Sequence, residues 1–306
     1  MRLVLAVVLL VCAGGAYAQG NALEAAWRDW AAQNTVRVST FAVIRRGEVI
    51  RQEGIGVAAD APRPLASLSK SITGACILSL RDAGRLRLGD TVGALLSPIG
   101  YQMTAGASEI TVAQLLTHSS GLRGDSTQGR AAPLRAESGD RTRAVAATAL
   151  ARAPAAAGFH YNNENYAVLG AIIEAVAGQP AVTYCPARLG IPTRVSATYG
   201  GGAAWGGWEM SAADFGRFAG RLAPRGDWPT VPMARGARYG PGVIVLDGGR
   251  RGQILTHTGS WCVLLGQSGG AYFFQVPGRR GVVVTWSGCI SEARLRALDE
   301  ALAEAF

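Results

Sequence analysis

Four strand-like runs follow one another between residues 243 and 286. They are Val243-Ile244-Val245-Leu246, Gln253 to Thr258, Ala271 to Val276, and Val282 to Trp286, and Gly-rich turns separate them. Short turns between β-branched and aromatic runs predict antiparallel pairing, because parallel strands need long crossovers. Far upstream, Val36 to Ile44, the turn Arg45-Arg46-Gly47-Glu48 and the return Val49-Ile50-Arg51 read as a β-hairpin. Asn21 to Ala32 and Ser291 to Phe306 carry apolar residues at helical spacing. These two terminal helices can cover one face of the sheet. Residues from about 85 to 200 are rich in alanine, leucine and short helical patterns, with no internal repeat or linker. The predicted class is α+β, an antiparallel β-sheet flanked by terminal helices with an inserted, mostly helical lobe. The α/β lobe is expected over about 19–66 and 205–306 and the helical lobe over about 67–204.

Composition narrows the function. With 306 residues, 49% hydrophobic and 17% charged, the chain has too much apolar content for intrinsic disorder and enough length for a large core. The net charge of +9 comes from arginines scattered singly and in pairs, with lysine almost absent and no basic run of five. That pattern predicts a basic solvated surface and argues against nucleic acid as a partner. The N-terminus reads as an export leader: Met1-Arg2, an apolar run Leu3 to Cys12, then Ala16-Tyr17-Ala18 before Gln19. Cleavage after Ala18 leaves a single catalytic unit over 19–306 with a charge of +8. The run is too short for a membrane span, and none is expected elsewhere. A periplasmic or secreted location follows, and there the remaining Cys76, Cys185, Cys262 and Cys289 can pair in three ways.

Three segments carry chemistry. Ser67-Leu68-Ser69-Lys70 follows the breaker Ala61 to Pro64 and opens a helical pattern that runs through Leu80, with Gly84 as its end cap. Residues three apart share a helix face, so the lysine amine can reach the serine hydroxyl. A serine is a weak nucleophile until a base takes its proton, and a desolvated lysine can be that base. Tyr161-Asn162-Asn163 sets a phenol beside amides ahead of the helical run Ala167 to Val176. His257-Thr258-Gly259 ends a strand. Each alone has a bland explanation: an N-cap serine, a polar turn, an ordinary strand end.

Together and in this order, S-x-x-K, Y-x-N and a basic residue followed by T-G resemble the signature of the penicillin-recognising serine hydrolases. Leu115-Leu116-Thr117-His118-Ser119-Ser120-Gly121-Leu122 is similar to the LLTHxSGL segment of the class C β-lactamase-related family, which includes D-alanyl-D-alanine carboxypeptidases, D-aminopeptidases and S-x-x-K esterases. Leu80 to Asp90 and Gly206 to Asp214 also resemble that family's segments, and the likeness runs from about residue 36 to the end. The resemblance implies Ser67 as the acylated nucleophile, Lys70 as its general base, and Tyr161 as the proton relay that activates the deacylating water. It implies Asn163 as the amide that holds the acyl side chain, and the backbone N–H groups of Ser67 and Ser260 as the oxyanion hole. It places His257, Thr258, Gly259 and Ser260 against the substrate, and His118 in turn scaffolding. It implies no cofactor, no metal, a small-molecule or peptide acyl substrate, contact with peptidoglycan, and a monomer. Turnover, or acylation that stalls as in a penicillin-binding sensor, both use these residues.

Two departures stand out. His257 occupies the place where β-lactamases usually carry lysine, and a histidine with an unperturbed pKa near ~6.5 is a weaker cation for a substrate carboxylate. The stretch Ser260 to Gly270, with Trp261, is longer than a tight turn and is expected to border the site and alter substrate choice. In a three-strand meander the ends of the first and third strands point the same way, which predicts a Cys262–Cys289 disulfide beside that stretch. Cys76 is expected as a buried small hydrophobe. Gly266-Gln267-Ser268-Gly269-Gly270 matches the G-x-S-x-G elbow of α/β-hydrolases, but strand-like residues follow it and all three histidines precede it.

Overall fold

The structure is a computed structural model, and it describes residues 20–128, 141–224, 226–262 and 268–306. The leader expected at 1–18 lies outside the described residues. The N-terminal helix α1 (20–33) leads into the hairpin β1 (Ser39–Arg45) and β2 (Glu48–Ile55). A short strand β3 (Arg63–Pro64) precedes α2 (Ser69–Asp82). The middle is helical: α3 (Val92–Leu96), α4 (Ala105–Ser108), α5 (Val112–Leu116), α6 (Thr142–Leu150), α7 (Asn163–Ala177) and α8 (Ala181–Leu189). Then come β4 (Arg194–Val195), β5 (Trp208–Met210), α9 (Ala212–Ala219), β6 (Val231–Pro232), β7 (Arg238–Tyr239), β8 (Ile244–Asp247), β9 (Gln253–Trp261), β10 (Gly269–Val276), β11 (Arg280–Ser287) and α10 (Glu292–Ala305).

Eight strands form one antiparallel sheet in the order β2-β1-β11-β10-β9-β8-β7-β6. The class read from the sequence is the class observed. Strand alternation sorts the side chains by face. Phe41, Val43, Tyr272, Phe274, Val282, Val284 and Trp286 pack under α1 and α10 against Leu23, Trp27, Trp30, Leu298 and Leu302. The indole N–H of Trp30 donates to the carbonyl of Arg294 at 2.8 Å, tying the two terminal helices together. Ala42, Ile44, Ala271, Phe273 and Val283 face the other way and join the core of the helical lobe through Phe215 and Phe218 of α9. Both faces are covered, so β10 is buried along its whole length and shows no polar alternation.

The structure differs from the sequence reading in three places. The helix expected from Ser67 begins at Ser69, and a 3-10 turn at Ala66–Leu68 precedes it. A second sheet, β3-β5-β4, was not legible, because strands of two or three residues have no period to read. Cys76 is not a free buried hydrophobe. It is bonded to Cys185, with Cα atoms 5.5 Å apart, and so staples α2 to α8. The other pair, Cys262 with Cys289, is also bonded, just past the ends of β9 and β11. After Ser268 the chain runs straight into β10, so the G-x-S-x-G match is not followed by the helix that an elbow requires, and residues 263–267 lie outside the described residues.

The Cys76–Cys185 bond closes a loop across a sequence separation of 109. The double replacement Cys76→Ala with Cys185→Ala is expected to lower unfolding free energy by about 2–5 kcal/mol. Urea midpoints of the two proteins, with and without reductant, check this, and a shift under 0.5 kcal/mol would contradict it.

Candidate active site

The turn that carries Ser67 is built by close approach. The backbone of Leu65 donates to the Trp208 carbonyl at 2.9 Å, which carries β3 onto the small sheet. The next residue, Ala66, takes φ 47°, a left-handed conformation that costs a residue with a Cβ about 1–3 kcal/mol. The full burial of Leu65, Ala66 and Leu68 holds it there. Behind the turn lies Gly259 of β9, where a Cβ would stand 2.5 Å from both the Ser67 nitrogen and the Leu65 oxygen. Only glycine lets the strand pass so close, which gives the third residue of the His-Thr-Gly segment a physical reason. β8 leaves β9 after Thr256, so the edge from His257 to Trp261 is open toward Ser67.

Lys70 is the second residue of α2 and is fully buried. Its Nζ lies 3.1 Å from Ser67 Oγ and 2.9 Å from the Trp205 carbonyl. Burial pulls its pKa down to about 7, against the upward pull of the Asp125 carboxylate. Lys70 is the only lysine in the chain. Every other basic residue apart from the histidines is an arginine, which does not give up its proton. The glycine-rich stretch that supplies the Trp205 carbonyl is pinned to α2 by Thr73 Oγ1, which donates to the Ala204 carbonyl at 2.7 Å, and by the Trp208 N–H, which donates to Ser69 Oγ at 3.2 Å.

Tyr161 faces this pair from the loop before α7. Its ring lies 4.9 Å from Lys70 Nζ, and its hydroxyl hydrogen-bonds with Ser67. The residue is 40% exposed. Desolvation raises its pKa, the bond to Ser67 opposes the rise, and Asp125 adds to it. The phenol is therefore a proton donor at neutral pH, not a phenolate. His118 packs against the same ring at 4.5 Å between centroids, with Tyr166 and Tyr239 close by. Its Nδ1 accepts from the Asn162 N–H at 3.3 Å, and burial first, then Lys70, hold it neutral. It takes φ 55°, in keeping with turn scaffolding.

Asn163 opens α7 and is almost fully buried. Its amide donates to Thr127 Oγ1 at 2.9 Å, and its backbone N–H donates to Asp125 at 3.1 Å. Thr127 in turn donates its hydroxyl to Asp125 at 2.6 Å. Asp125, Thr127, Tyr239 and the Trp205 carbonyl were absent from the sequence reading. Asp125 and Thr127 stand in a polar loop with no motif of their own, and a backbone carbonyl has no sequence signal at all.

His257 is buried beside Tyr161, with centroids 6.1 Å apart. Burial first, then Lys70, lowers its pKa to about 3, and the bond to the Thr258 carbonyl only partly offsets this. It is a neutral imidazole at pH 7. Thr258 is exposed and Ser260 half-buried on the same strand. Trp261, expected at the substrate side, is instead a core residue. It stacks on Tyr199 at 5.2 Å, and its indole N–H donates to the Gly206 carbonyl at 3.0 Å, bracing the wall of the site from behind. The structure thus brings Ser67, Lys70, Tyr161, His257 and Gly259 together, with Asn163 linked to them through Asp125.

Comparisons with known proteins follow this geometry. A family model described as Beta-lactamase matches residues 27–304. Protein flp of Staphylococcus aureus (strain MW2) is 30% identical over 156 residues, which is 48% of this chain and 31% of that protein. Penicillin-binding protein 4 of Amycolatopsis lactamdurans is 31% identical over 135 residues, 44% of this chain and 34% of that one. The chain therefore spans about a third of the length of these curated relatives. A solved structure of a β-lactamase/D-alanine carboxypeptidase from Pseudomonas syringae superposes with a TM-score of 0.73 at 17% identity, covering 94% of this chain and 99% of that one. At that identity the likeness shows the fold. Among the described residues no single helix is long and apolar enough to cross a membrane.

The buried amine makes stability and function oppose each other. Unfolded, Lys70 titrates near 10.5, and folded near 7. The folded state binds fewer protons between those values, so stability rises with pH across that window and the full penalty applies below pH 7. Lys70→Met is expected to raise unfolding free energy by about 1–3 kcal/mol at pH 6 after the lost hydrogen bonds are counted, with the gain shrinking toward pH 10. Urea unfolding at both pH values checks it.

Proposed function

The chain belongs to the Beta-lactamase family, whose members are serine hydrolases, and on that footing we propose that it is an exported hydrolase that breaks ester or amide bonds through an acyl-enzyme on Ser67. The observation that carries the reading is the Ser67–Lys70 pair: a hydroxyl 3.1 Å from a fully buried amine whose pKa has fallen to about 7. At pH 7 and above, a substantial fraction of Lys70 is neutral and can take the Ser67 proton as Oγ attacks a carbonyl carbon. The developing oxyanion would be met by the N–H groups of Ser67 and Ser260 on the open edge of β9. As the tetrahedral adduct collapses, the leaving oxygen or nitrogen takes a proton by way of Tyr161, and Lys70 re-supplies it. Water then attacks the ester on Ser67, its proton passing by way of the Tyr161 hydroxyl to neutral Lys70, and as the acyl–Oγ bond breaks that proton returns to Ser67 Oγ and the acid is released.

Two disulfides among the four cysteines of the expected mature chain support an oxidising compartment, and with the leader-like N-terminus they support a periplasmic or secreted location, where small-molecule or peptide acyl substrates, peptidoglycan fragments included, would be met. Hydrolysis of β-lactams or of D-alanyl and other D-amino-acid peptides is a second reading, favoured by the shared fold of the Pseudomonas syringae β-lactamase/D-alanine carboxypeptidase.

Intact mass spectrometry with p-nitrophenyl butyrate, nitrocefin, a penicillin and D-alanyl peptides distinguishes these outcomes. Turnover of the ester with loss of activity in Ser67→Ala is expected, and activity that survives Ser67→Ala would sink the assignment. A stable penicillin adduct without turnover would make the protein a sensor. The acylation rate should rise with pH through an apparent pKa near 7 as Lys70 loses its proton, and a flat profile from pH 5 to 9 would remove Lys70 as the base.

A further inference from the structure

We propose that Tyr239 is a specificity-determining residue of this site: its hydroxyl occupies Nε2 of His257 and, with the backbone on the other side, leaves the imidazole no nitrogen for a substrate carboxylate, so the site takes acyl donors whose leaving side is uncharged. The inference rests on the serine acyl-transfer reading above and names a substrate class within it.

His257 Nδ1 lies 2.8 Å from the carbonyl of Thr258, which can only accept, so Nδ1 carries the proton. His257 Nε2 lies 3.2 Å from the Tyr239 hydroxyl. In the neutral ring Nε2 has only a lone pair, so the phenol donates to it. Tyr239 also meets Tyr166, whose own proton goes to the Leu116 carbonyl at 2.9 Å, so Tyr166 can only accept from it. The one proton of Tyr239 serves either Nε2 or Tyr166, and Tyr166 already accepts from the Gly242 N–H, which leaves that proton for the bare lone pair of Nε2.

The surroundings keep the ring neutral. Lys70 from α2, His118 from the turn after α5, Tyr161 from the loop before α7 and Tyr239 from β7 are the titratable groups shown around His257. Among these named groups none is a carboxylate, and Lys70 is cationic below about pH 7. Tyr239 and His257 are both buried, so the pair is not reached by bulk water. A basic residue at this strand position would be expected to meet an anionic leaving group. Here the position holds a saturated, uncharged ring instead. Nothing in the local sequence around Tyr239 announces this, because β7 is two residues long and joins the sheet only through β6 and β8.

A matched pair of thioesters tests it on the full chain: benzoylglycyl thioglycolate as the free acid, and the same molecule as its carboxamide. The wild-type protein should hydrolyse the carboxamide with a kcat/KM at least equal to that of the acid. A preference of roughly tenfold or more for the acid, abolished in His257→Gln, would overturn the proposal. In Tyr239→Phe the ratio of acid to carboxamide should rise as the pH falls toward about 4, where Nε2, freed of its donor, takes a proton. Nitrogen-15 NMR of the three histidines supplies a readout that needs no substrate. His257 should be the neutral Nδ1–H tautomer in the wild type at pH 7, and its titration should move up by about one unit in Tyr239→Phe. A His257 that is Nε2–H or cationic at pH 7, or an unchanged titration and substrate ratio in Tyr239→Phe, would overturn it. Should Tyr239→Phe not fold, the wild-type ratio and tautomer decide. Absence of any acyl adduct on Ser67 with either thioester would instead remove the serine-hydrolase reading, leaving the tautomer test intact.

Discussion

Burying Lys70 is the constraint on which the rest of this fold turns. An ammonium taken out of water is destabilising by several kcal/mol unless partners or deprotonation relieve it. Here the relief is partial and directional. The Trp205 carbonyl and Ser67 Oγ each take one N–H direction, the Tyr161 ring presents its face, and the remaining strain is expressed as a pKa brought down to about 7. That same strain makes the amine able to accept a proton from serine. A surface lysine would keep its proton and have no such use. In a chain whose other basic side chains are arginines and three histidines, with His118 and His257 neutral by burial, proton mobility is concentrated at one atom.

The architecture can be read as the means of keeping that amine dry and aimed. The eight-stranded sheet is braced on one face by α1 and α10 and on the other by α9 and the helical lobe. β9 is thereby held rigid enough for Gly259 to lie against the Ser67 nitrogen without a side chain between them. From the opposite side the Cys76–Cys185 bond fixes α2, which carries Lys70, to α8. The wall above Lys70 is a run of glycines and alanines ending in Trp205. Small residues let that backbone approach α2 closely, and Trp261 stacked on Tyr199 supports it from behind. The left-handed φ of Ala66 shows where the strain of these close approaches settles, next to the reacting atom.

Much of the fold was legible because its long elements have strong periods. The last three long strands, the first hairpin and both terminal helices fall within a few residues of where periodicity put them. Ser67, Lys70, Tyr161 and the His-Thr-Gly strand were legible through their joint order, which resembles a known family, while the i, i+3 spacing explains only why the first two share a face. What escaped was of another kind. Asp125 and Thr127 act through hydrogen bonds to Asn163, some 36 to 38 residues away. Trp261 looked like a substrate-facing aromatic because it followed the motif, but one more strand residue turns it into the core. Cys76 looked inert because its partner lies on a helix that only tertiary packing brings near.

The sequence by itself determined the α+β class and the antiparallel pairing, since local hydrophobic period dictates these, and its i, i+3 spacing put the Ser67 hydroxyl within reach of the Lys70 amine. Only the tertiary structure decided their electrical state. Whether Lys70 is a base, Tyr161 a phenol or His257 a cation depends on how much water and which charges surround each one. Those surroundings are assembled from α2, the loop before α7, β7 and β9, segments that lie far apart in the chain and meet only when it folds.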